Sequence, residues 1–361
     1  MKVVVAMSGG VDSSVAAALL KQEGYEVIGA TMQLRPPSDG ENNGNGRQNS
    51  PVLDAVADAR KVAEKLVIPH HVIDLRDVFA RVIITDFCRE YSLGRTPNPC
   101  VRCNQLIKFG VLWEKARELG ADFLATGHYA RIASDAITGK RLLKKGKDPL
   151  KDQSYFLCRL TPEQLGFTLF PLGNLTKTGV RQIARELGLP VAARPESQEI
   201  CFVPGDDYAA FLESYAPSAA LPGPILDSKG NVLGQHRGIM FYTIGQRKGL
   251  GIAAPQPLYV TAIESERNAV IVGAKEETYT DELVADSLNW LSGLAPDFPI
   301  NVKARVRYRH PEAEAIVSLL DKTSVYVKFS APQMAVTPGQ TVVFYDGDTV
   351  IGGGTIIKQG R

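Results

Sequence analysis

The chain has 361 residues and a formal net charge of +2 at pH 7; 44% of its residues are hydrophobic and 22% are charged. This composition is typical of a folded globular protein and excludes collagen-like and intrinsically disordered chains, while the length allows two or three domains. No apolar run is long enough for a membrane span and no secretory signal is evident, so we expect a cytoplasmic protein. The five cysteines are too few for a disulfide framework and fit the same reducing compartment.

The first predicted elements are a strand and a helix joined by a glycine-containing loop. Residues 2–7 form an apolar run typical of a buried parallel strand, and residues 14–20 predict a helix. The loop between them, Ser8-Gly9-Gly10-Val11-Asp12-Ser13, has two glycines that permit a tight turn and close contact with a ligand. Amides at a helix start favour an anion, so the junction predicts a phosphate site, although it lacks the lysine of a Walker loop. The alternative is an ordinary turn in which Asp12 caps the helix.

Strands alternate with amphipathic helices up to about residue 200. The further predicted strands are 26–32, 71–74 and 123–126, and the further predicted helices are 53–66, 109–118 and 178–187. This alternation predicts an α/β fold with a doubly wound parallel sheet. Residues 36–51 are predicted to form a loop, and Ser50-Pro51 at its end is a helix-start signal.

Composition divides the chain into three predicted domains, 1–204, 205–276 and 277–361. The first has the strand–helix alternation and is expected to be the nucleotide-binding catalytic domain. The second is rich in Gly and Pro with short apolar segments, which predicts a small, irregular, β-containing domain. The third has short strands separated by turn signals such as Thr337-Pro338-Gly339 and Asp346-Gly347-Asp348, as in a small β-barrel.

Three of the five cysteines lie in segments that point to chemistry. Cys100 and Cys103 follow Thr96-Pro97-Asn98-Pro99, where two prolines are expected to exclude a helix and keep the backbone extended. With Cys201 they suggest a zinc site, a redox pair, or thiol chemistry beside an activated substrate. Zinc would need a fourth ligand and a redox pair its own fold, so thiol chemistry is favoured. The other two cysteines have apolar neighbours and are predicted to be buried: Cys88 and Cys158.

A basic segment near the C-terminus, residues 301–310, predicts a strand with two different faces. With a period of two, one face would present four cations and the other four largely apolar side chains. The cations are Lys303, Arg305, Arg307 and Arg309, and the opposite face has Val302, Ala304, Val306 and Tyr308. A solvated strand face is the simpler interpretation. Four cations without an intervening acid would also suit contact with phosphate groups, which the resemblance described next favours.

In their order and spacing these motifs resemble those of the bacterial tRNA-specific 2-thiouridylases, which belong to the ATP pyrophosphatase, or PP-loop, superfamily. The resemblance extends over essentially the whole chain. It rests on Ala6-Met7-Ser8-Gly9-Gly10-Val11-Asp12-Ser13-Ser14, Asn98-Pro99 with Cys103-Asn104, Thr126-Gly127-His128-Tyr129-Ala130-Arg131, Lys151-Asp152-Gln153-Ser154-Tyr155-Phe156-Leu157, Ile200-Cys201-Phe202-Val203, Tyr242-Thr243-Ile244-Gly245-Gln246-Arg247-Lys248-Gly249-Leu250-Gly251, Arg307-Tyr308-Arg309 and Thr337-Pro338-Gly339-Gln340.

The resemblance implies a sulfurtransferase that modifies tRNA with ATP and Mg²⁺. The C2 oxygen of the wobble uridine would attack the α-phosphate of ATP, and sulfur would then displace AMP to give 2-thiouridine. The implied ATP-binding residues are Ala6, Met7, Ser8, Gly9, Gly10, Val11, Asp12, Ser13, Met32 and Gly127. The implied tRNA-binding residues are Asn98, Pro99, Lys151, Asp152, Gln153, Arg307 and Tyr308. The implied partners are tRNAs for Glu, Gln and Lys, which the domain at 205–276 would help to contact, and a persulfide or sulfur-carrier protein.

The implied catalytic residues are Cys103, Cys201 and Cys100, and here the chain departs from the family pattern. Many members have aspartate at the position of Cys100, as a base or a contact to the target uridine. In the family's usual mechanism Cys201 receives a persulfide and Cys103 assists its transfer, and the Cys100 thiolate would stand in for the aspartate. Alternatively, the three cysteines hold three irons of a [4Fe–4S] cluster whose fourth iron binds sulfide. The spacing of the cysteines leaves both mechanisms open.

Two other functional classes also remain open from the sequence. A PP-loop ligase that adenylates a small molecule would share the phosphate loop but would have no use for Cys103, Cys201 or the basic segment. An RNA-binding module with a vestigial loop would explain the basic segment but not the intact Ser8-Gly9-Gly10-Val11-Asp12-Ser13.

Overall fold

The computed structural model describes residues 1–35, 51–195, 200–203, 205 and 207–360, with only the backbone at 51–54. The predicted loop at 36–51 therefore lies outside the described residues, apart from Pro51, which begins a helix. Within the described part of the chain, no helix is both long enough and apolar enough to cross a membrane.

Most of the helices lie in the first 200 residues. The α-helices are α1 Val11–Gln22, α2 Pro51–Leu66, α3 Arg76–Phe79, α4 Thr85–Ser92, α5 Pro99–Arg102, α6 Leu112–Glu118, α7 Pro162–Gly166, α8 Lys177–Glu186 and α9 Tyr208–Tyr215. Two π-helical segments, Ala80–Ile84 and Cys103–Val111, join α3 to α4 and α5 to α6.

Strands occur throughout the chain and dominate after residue 220. They are β1 Lys2–Ala6, β2 Glu26–Gln33, β3 His70–Asp74, β4 Phe123–Ala125, β5 Ala130–Ser134, β6 Arg141–Lys145, β7 Thr168–Leu169, β8 Gly223–Asp227, β9 Val232–His236, β10 Tyr259–Glu264, β11 Ala269–Gly273, β12 Tyr279–Trp290, β13 Ile300–Arg305, β14 Ala313–Leu319, β15 Val325–Met334, β16 Thr341–Asp346 and β17 Thr349–Gln359.

The N-terminal part folds around a five-stranded parallel sheet in the order β3-β2-β1-β4-β7. Side chains of β1 alternate between the two faces: Val3 and Val5 pack with Val15 of α1, whereas Val4 packs with Leu112 of α6. A strand buried on both faces needs apolar residues at every position, which explains the unbroken valine run. The prediction of an α/β fold with a doubly wound parallel sheet is confirmed.

The largest difference from the predicted helices concerns residues 76–118. The helix predicted at 109–118 begins earlier, at Pro99, and passes through a π-helical segment before α6. A second helical stretch, from Arg76 to Ser92, was not predicted. Its fully buried side chains recur every fourth residue, at positions 79, 83 and 87, but the β-branched run at 82–84 obscures this helical spacing in the sequence.

The C-terminal part contains two further sheets. The first is a small sheet of four strands in the order β10-β11-β8-β9. In the sequence these strands follow those of the parallel sheet and precede the C-terminal strands. The strands β12-β15-β14-β13-β16-β17 form a barrel that closes through antiparallel pairing of β12 with β17. The predicted C-terminal β-barrel is confirmed. The hairpin β5–β6 extends the same sheet through the pair Thr349 and Lys144, so a segment from the first 200 residues is part of it.

The basic segment at 301–310 is a strand only in its first half. The last pair between β13 and its antiparallel partner β14 joins Ala304 to Ala313, and β13 ends at Arg305. Residues 306–312 must therefore turn the chain back. Two of the four predicted cations lie in this connection: Arg307 and Arg309. The prediction of four cations on one strand face was wrong because the strand is shorter than the alternating pattern.

Arg305, the last residue of β13, is also not a surface cation. Its guanidinium bonds to Glu312 at 2.6 Å, lies 3.6 Å from the Asp152 carboxylate and stacks over the ring of Tyr345. The sequence has no acid between the four cations, but the fold brings two carboxylates to this one. Arg305 therefore helps join the barrel to the segment that follows β6.

The packing of Gly173 generates a prediction about stability. A Cβ at this buried glycine would overlap the carbonyl oxygen of Ala130 in β5. Overpacking against backbone typically costs about 1–3 kcal/mol, so Gly173→Ala should lower the midpoint of urea unfolding followed by circular dichroism. The matched control is Gly166→Ala, where no atom lies within 4 Å of the added Cβ. Equal midpoints for the two variants would contradict this packing.

Candidate functional site

The predicted phosphate loop lies at the carboxyl end of β1, the central strand of the parallel sheet. β1 ends at Ala6 and α1 begins at Val11, so four residues make the turn. Gly9 has a φ of +69°, and a Cβ there would overlap the carbonyl oxygen of Ala55 in α2. A residue with a side chain would be strained at this position and would push α2 away from the loop.

The first turn of α1 offers backbone amides to a ligand. Gly10 is the N-cap residue and has no side chain to accept hydrogen bonds from these N–H groups. The Ser13 hydroxyl instead accepts from the backbone N–H of Ser8 at 3.2 Å and lies 3.3 Å from the Gly10 carbonyl oxygen, which ties the two ends of the loop together. Amides at a helix N-terminus, together with the helix dipole, form an anion site.

The Asp12 carboxylate, in the first turn of α1, is held by two neighbours. The Tyr129 hydroxyl donates to Oδ1 at 2.7 Å, and the Lys177 ammonium lies 2.8 Å from both oxygens. Lys177 is fixed in turn because its backbone N–H, at the start of α8, donates to Asp148 at 2.9 Å. Asp12 lies inside the helix and Gly10 takes the N-cap position, so the alternative that Asp12 caps the helix is wrong.

Strands β2 and β4 bring two more predicted residues to the same edge of the sheet. A Cβ at Gly127, just after β4, would lie 2.7 Å from the backbone nitrogen of Ser13, so this glycine packs directly on α1. Met32 lies near the carboxyl end of β2. The ring of His128 is buried, and its Nδ1 forms a hydrogen bond of 2.7 Å with the Thr126 hydroxyl. Burial lowers the pKa of His128 well below its usual value, which keeps the ring neutral.

Three neighbours of the loop were not predicted. Arg194 donates to the Gly9 carbonyl oxygen at 3.1 Å and contacts the Asp58 carboxylate. Its partners are distant in the sequence, and nothing in the pattern indicated it. Lys177 immediately precedes a predicted helix, which is a weak signal for an anion site. Tyr129 lies in one of the segments on which the resemblance rests, but its role was not assigned.

Two of the predicted catalytic cysteines lie on one continuous helical stretch, Cys100 in α5 and Cys103 at the start of the π-helical segment. Asn98 is the N-cap of α5, with its side chain accepting from the Val101 N–H at 3.3 Å, and Pro99 takes the first helical position. Proline suits this position because the first N–H of a helix has no acceptor within it. The prediction that the two prolines exclude a helix is therefore right up to Asn98 and wrong after it. Helical spacing of three places Cys100 and Cys103 on neighbouring positions of one face.

The three candidate thiols are free, and they differ in exposure: Cys100 and Cys201 are exposed, whereas Cys103 is buried. Desolvation by the surrounding protein disfavours the thiolate. It raises the pKa of Cys100 to about 11 and that of Cys103 to about 12, and it also raises the pKa of Cys201. Repulsion from a Cys201 thiolate adds to the first two shifts, which indicates that the three side chains lie near one another. Cys100 and Cys103 are therefore mainly neutral thiols at pH 7. The predicted burial of the remaining cysteines is confirmed for Cys88 and Cys158.

Two cations partly offset these shifts, and neither was predicted. Lys108 acts to lower the pKa of Cys100, Cys103 and Cys201. It lies five residues after Cys103 in the π-helical segment, where i→i+5 hydrogen bonding places it about one turn further along. Arg35 acts on Cys201 alone and donates from Nε to the Cys201 carbonyl oxygen.

The cysteines do not fit the ligand set of an iron–sulfur cluster. Residues 1–35, 51–195 and the described positions from 200 onward contain no group of three or more His, Cys, Asp or Glu side chains arranged to hold a metal ion. Such a cluster requires its thiolates to converge on one point.

The predicted tRNA-binding residues after β6 connect the loop to the barrel. The Gln153 side chain accepts from the Tyr129 N–H at 3.0 Å, which places this segment beside the phosphate loop. Asp152 is buried and accepts hydrogen bonds from the N–H groups of Gly146 and Ser154, so its carboxylate lies inside the protein. Lys151 is half-buried next to it.

Phe156 contacts both the π-helical segment that begins at Cys103 and the connection that follows β13 of the barrel. Asn104, next to Cys103, donates to the Phe156 carbonyl oxygen at 3.0 Å, and the Phe156 ring packs 4.3 Å from the ring of Tyr308. Arg307 is exposed beside Tyr308 in the connection after β13. A chain of contacts thus links Asp12 of the loop, through Tyr129, Gln153 and the Phe156 segment, to Tyr308 and to Asn104, next to Cys103.

Three family models match consecutive parts of this chain. One described as the tRNA methyl transferase HUP domain matches residues 1–205. One described as the tRNA methyl transferase PRC-barrel domain matches residues 209–274. One described as the Aminomethyltransferase beta-barrel domain matches residues 280–356.

Individual relatives are similar over almost the full length. The tRNA-specific 2-thiouridylase of Heliobacterium modesticaldum is 52% identical over 99% of this chain and 92% of its own. That of Geotalea uraniireducens is 53% identical over 98% and 94%, and that of Halothermothrix orenii is 51% identical over 99% of both chains. Identity at this level over whole chains establishes common membership, and the chain belongs to the family of tRNA-specific 2-thiouridylases.

Proposed function

We propose that this chain is an ATP-dependent tRNA sulfurtransferase that converts the C2 oxygen of a wobble uridine to sulfur. The observation that supports the proposal is a series of contacts that runs from Tyr129, which bonds to Asp12 of the loop, through Gln153 and the Phe156 segment to Asn104, next to Cys103. The relatives named above, at 51–53% identity, have this activity in their names. The tRNAs for Glu, Gln and Lys are the proposed substrates.

ATP and Mg²⁺ are implied by membership of this ATP-using family. The polyphosphate would accept hydrogen bonds from the loop between Ala6 and Ser13, and the adenine end would lie near Met32 and Gly127. The Asp12 carboxylate, partly exposed in the first helical turn, suits Mg²⁺, which commonly uses one or two carboxylates together with substrate phosphates. The ion would supply charge neutralisation on the departing pyrophosphate.

The loop would serve the first half of the reaction. The uridine C2 oxygen forms a bond to the α-phosphorus, the bond to the β-phosphate oxygen breaks, and pyrophosphate leaves. The oxygen at C2 is then part of an AMP leaving group. On the RNA side we propose contacts from Asn98, Pro99, Lys151, Gln153, Arg307 and Tyr308. Asp152, being buried, would act by positioning its neighbours.

The thiols would serve the second half. We propose that exposed Cys201 receives a persulfide from a donor protein and that its terminal sulfur attacks C2, displacing AMP. The buried Cys103 thiolate then attacks the Cys201 sulfur, which breaks the persulfide S–S bond, leaves the outer sulfur on C2 and forms a Cys103–Cys201 disulfide. A small-molecule or protein thiol reduces that disulfide. A reducing compartment such as the cytoplasm suits this chemistry.

Raised thiol pKa values set a requirement on this step. Because the pKa of Cys103 is about 12, only a small fraction of the protein has Cys103 in its thiolate form at pH 7. Lys108, whose charge favours all three thiolates, is placed to stabilise the anion when substrate excludes water. Cys100, with a pKa of about 11, is a neutral donor rather than a base at pH 7.

The first test concerns the loop. Ser8→Ala and Asp12→Ala should abolish tRNA-dependent pyrophosphate release, because both alter the proposed phosphate site, and should leave tRNA affinity within about twofold. Pyrophosphate release and a gel-shift titration measure the two effects on the same preparations. Release that is independent of tRNA would favour the small-molecule ligase instead, and undiminished release in both variants would remove the loop from the reaction.

The second test compares cysteines. Cys103→Ser and Cys201→Ser should lose at least about 100-fold in thiolation, since an alcohol can neither hold a persulfide nor displace one. Cys88→Ser and Cys158→Ser are the controls and should keep most activity, because both thiols lie in apolar cores and no proposed step uses them. Mass spectrometry of the modified nucleoside measures all four. Wild-type activity in Cys201→Ser would contradict the relay.

The third test concerns Cys100 and separates the relay from a cluster. In the relay, Cys100→Asp introduces the residue that many relatives have, and at least half of the activity should remain. A cluster would lose a thiolate ligand, with the loss of iron and of activity. Activity and iron content of wild type and variant, both prepared without oxygen, decide the matter. Iron in the wild type that disappears in the inactive variant would overturn the relay.

A further inference from the structure

Arg35 holds the backbone of Cys201 from a distant part of the chain. It lies just after β2, which ends at Gln33, and its Nε donates to the Cys201 carbonyl oxygen across 166 residues of sequence. The residue after Cys201 is anchored in the core, because the ring centroids of Phe202 and Phe79 lie 5.6 Å apart and both side chains are buried. The exposed Cys201 is thus fixed between a guanidinium and a buried aromatic ring.

The charge of Arg35 also distinguishes Cys201 from the other two thiols. In the described part of the chain, the cations that act on Cys201 are Lys108 and Arg35, and its titratable neighbours are Cys100 and Cys103. Lys108 acts to lower the pKa of all three thiols, so it does not separate them. Arg35 comes from a different element and favours the thiolate of Cys201. The second cation is therefore directed at one thiol of the three.

A persulfide donor can reach two of the three thiols directly. Cys103 is buried, whereas Cys100 and Cys201 are exposed, so exposure alone does not determine which of these two accepts sulfur. The thiolate, rather than the thiol, attacks sulfur, and an adjacent cation increases the thiolate fraction. The exposed thiol whose backbone is held by a guanidinium is therefore the one prepared to react.

We propose that Arg35 selects Cys201 as the sulfur acceptor, by fixing the Cys201 backbone and placing a positive charge beside the thiolate. The Cys201 thiol first loses its proton to solvent. The thiolate then attacks the outer sulfur of a donor persulfide, the S–S bond of the donor breaks, and the donor thiolate leaves. The inference rests on the proposed function, in which Cys201 receives sulfur, and deepens it by naming a positioning residue that directs sulfur to that thiol.

Loading of sulfur from glutathione persulfide, followed by mass spectrometry of the cysteine-containing peptides, tests this selection. In the wild type, Cys201 should gain sulfur faster than Cys100. Arg35→Gln should lower the ratio of the two rates at least about threefold, which is within the range of an ion pair near a protein surface. The matched control is Arg117→Gln, which removes one charge from an exposed position of α6 and should leave the ratio unchanged.

Alkylation by iodoacetamide as a function of pH separates the effect of charge from a merely structural role. Removing a cation disfavours the thiolate, so in Arg35→Gln the midpoint for alkylation of Cys201 should move to higher pH, while that of Cys100 should not move. Arg35→Lys keeps the positive charge and should restore the midpoint of Cys201. Equal midpoints in wild type and Arg35→Gln, or the same shift in Arg35→Gln and Arg35→Lys, would overturn the inference.

The outcomes also separate the inference from the proposed function. Release of pyrophosphate that depends on tRNA should stay within about twofold of the wild type in Arg35→Gln, because Arg35 has no part in adenylation. A wild type that accepts no sulfur on Cys201 would overturn the relay and the inference with it. An unchanged loading ratio in Arg35→Gln, or an equal loss of loading and of pyrophosphate release, would overturn the inference alone.

Discussion

The site depends on two close backbone contacts that leave no room for a side chain. Gly9 lies against the carbonyl oxygen of Ala55, and Gly127 lies against the backbone of Ser13, so the phosphate loop is fixed between α2 and the end of β4. Because parallel strands end at the same edge of a sheet, the loop lies beside Met32 of β2 and Gly127 after β4.

Charge at the site is balanced locally. Lys177 and Asp12 neutralise each other at the phosphate loop, and Lys108 opposes the desolvation that raises the pKa of the thiols. In both places the cation lies beside a group that the proposed reaction makes or needs as an anion. Electrostatic stabilisation of developing charge by groups already in position is often the largest contribution to catalysis. The overall charge of +2 gives no indication of this arrangement, since it depends on contacts between distant segments.

The sequence predicted the parallel sheet, the phosphate loop and the barrel because each has a local pattern. The valine run of β1, the paired glycines and the turn signals act over a few residues. Prediction from the sequence failed where tertiary contacts determine the bounds of an element or the partner of a side chain. The strand from Ile300 was expected to continue to residue 310, and only the register of β14 ends it at Arg305. The prolines at 97 and 99 suggested extended backbone, whereas Pro99 begins a helix because Asn98 caps it. Lys177 and Arg194 reach the loop across more than 160 residues, a distance that no periodic pattern records.

The central claim is that sulfur travels from Cys201 of this chain to an ATP-activated uridine, and single-turnover transfer of labelled sulfur tests it most directly. Protein carrying an isotopically labelled persulfide on Cys201 is mixed with tRNA and ATP in the absence of any donor, and the nucleosides are analysed by mass spectrometry. The account predicts labelled 2-thiouridine in proportion to the persulfide supplied, with matching release of pyrophosphate and none without ATP. Labelled sulfur that stays on the protein while tRNA and ATP are present would contradict it.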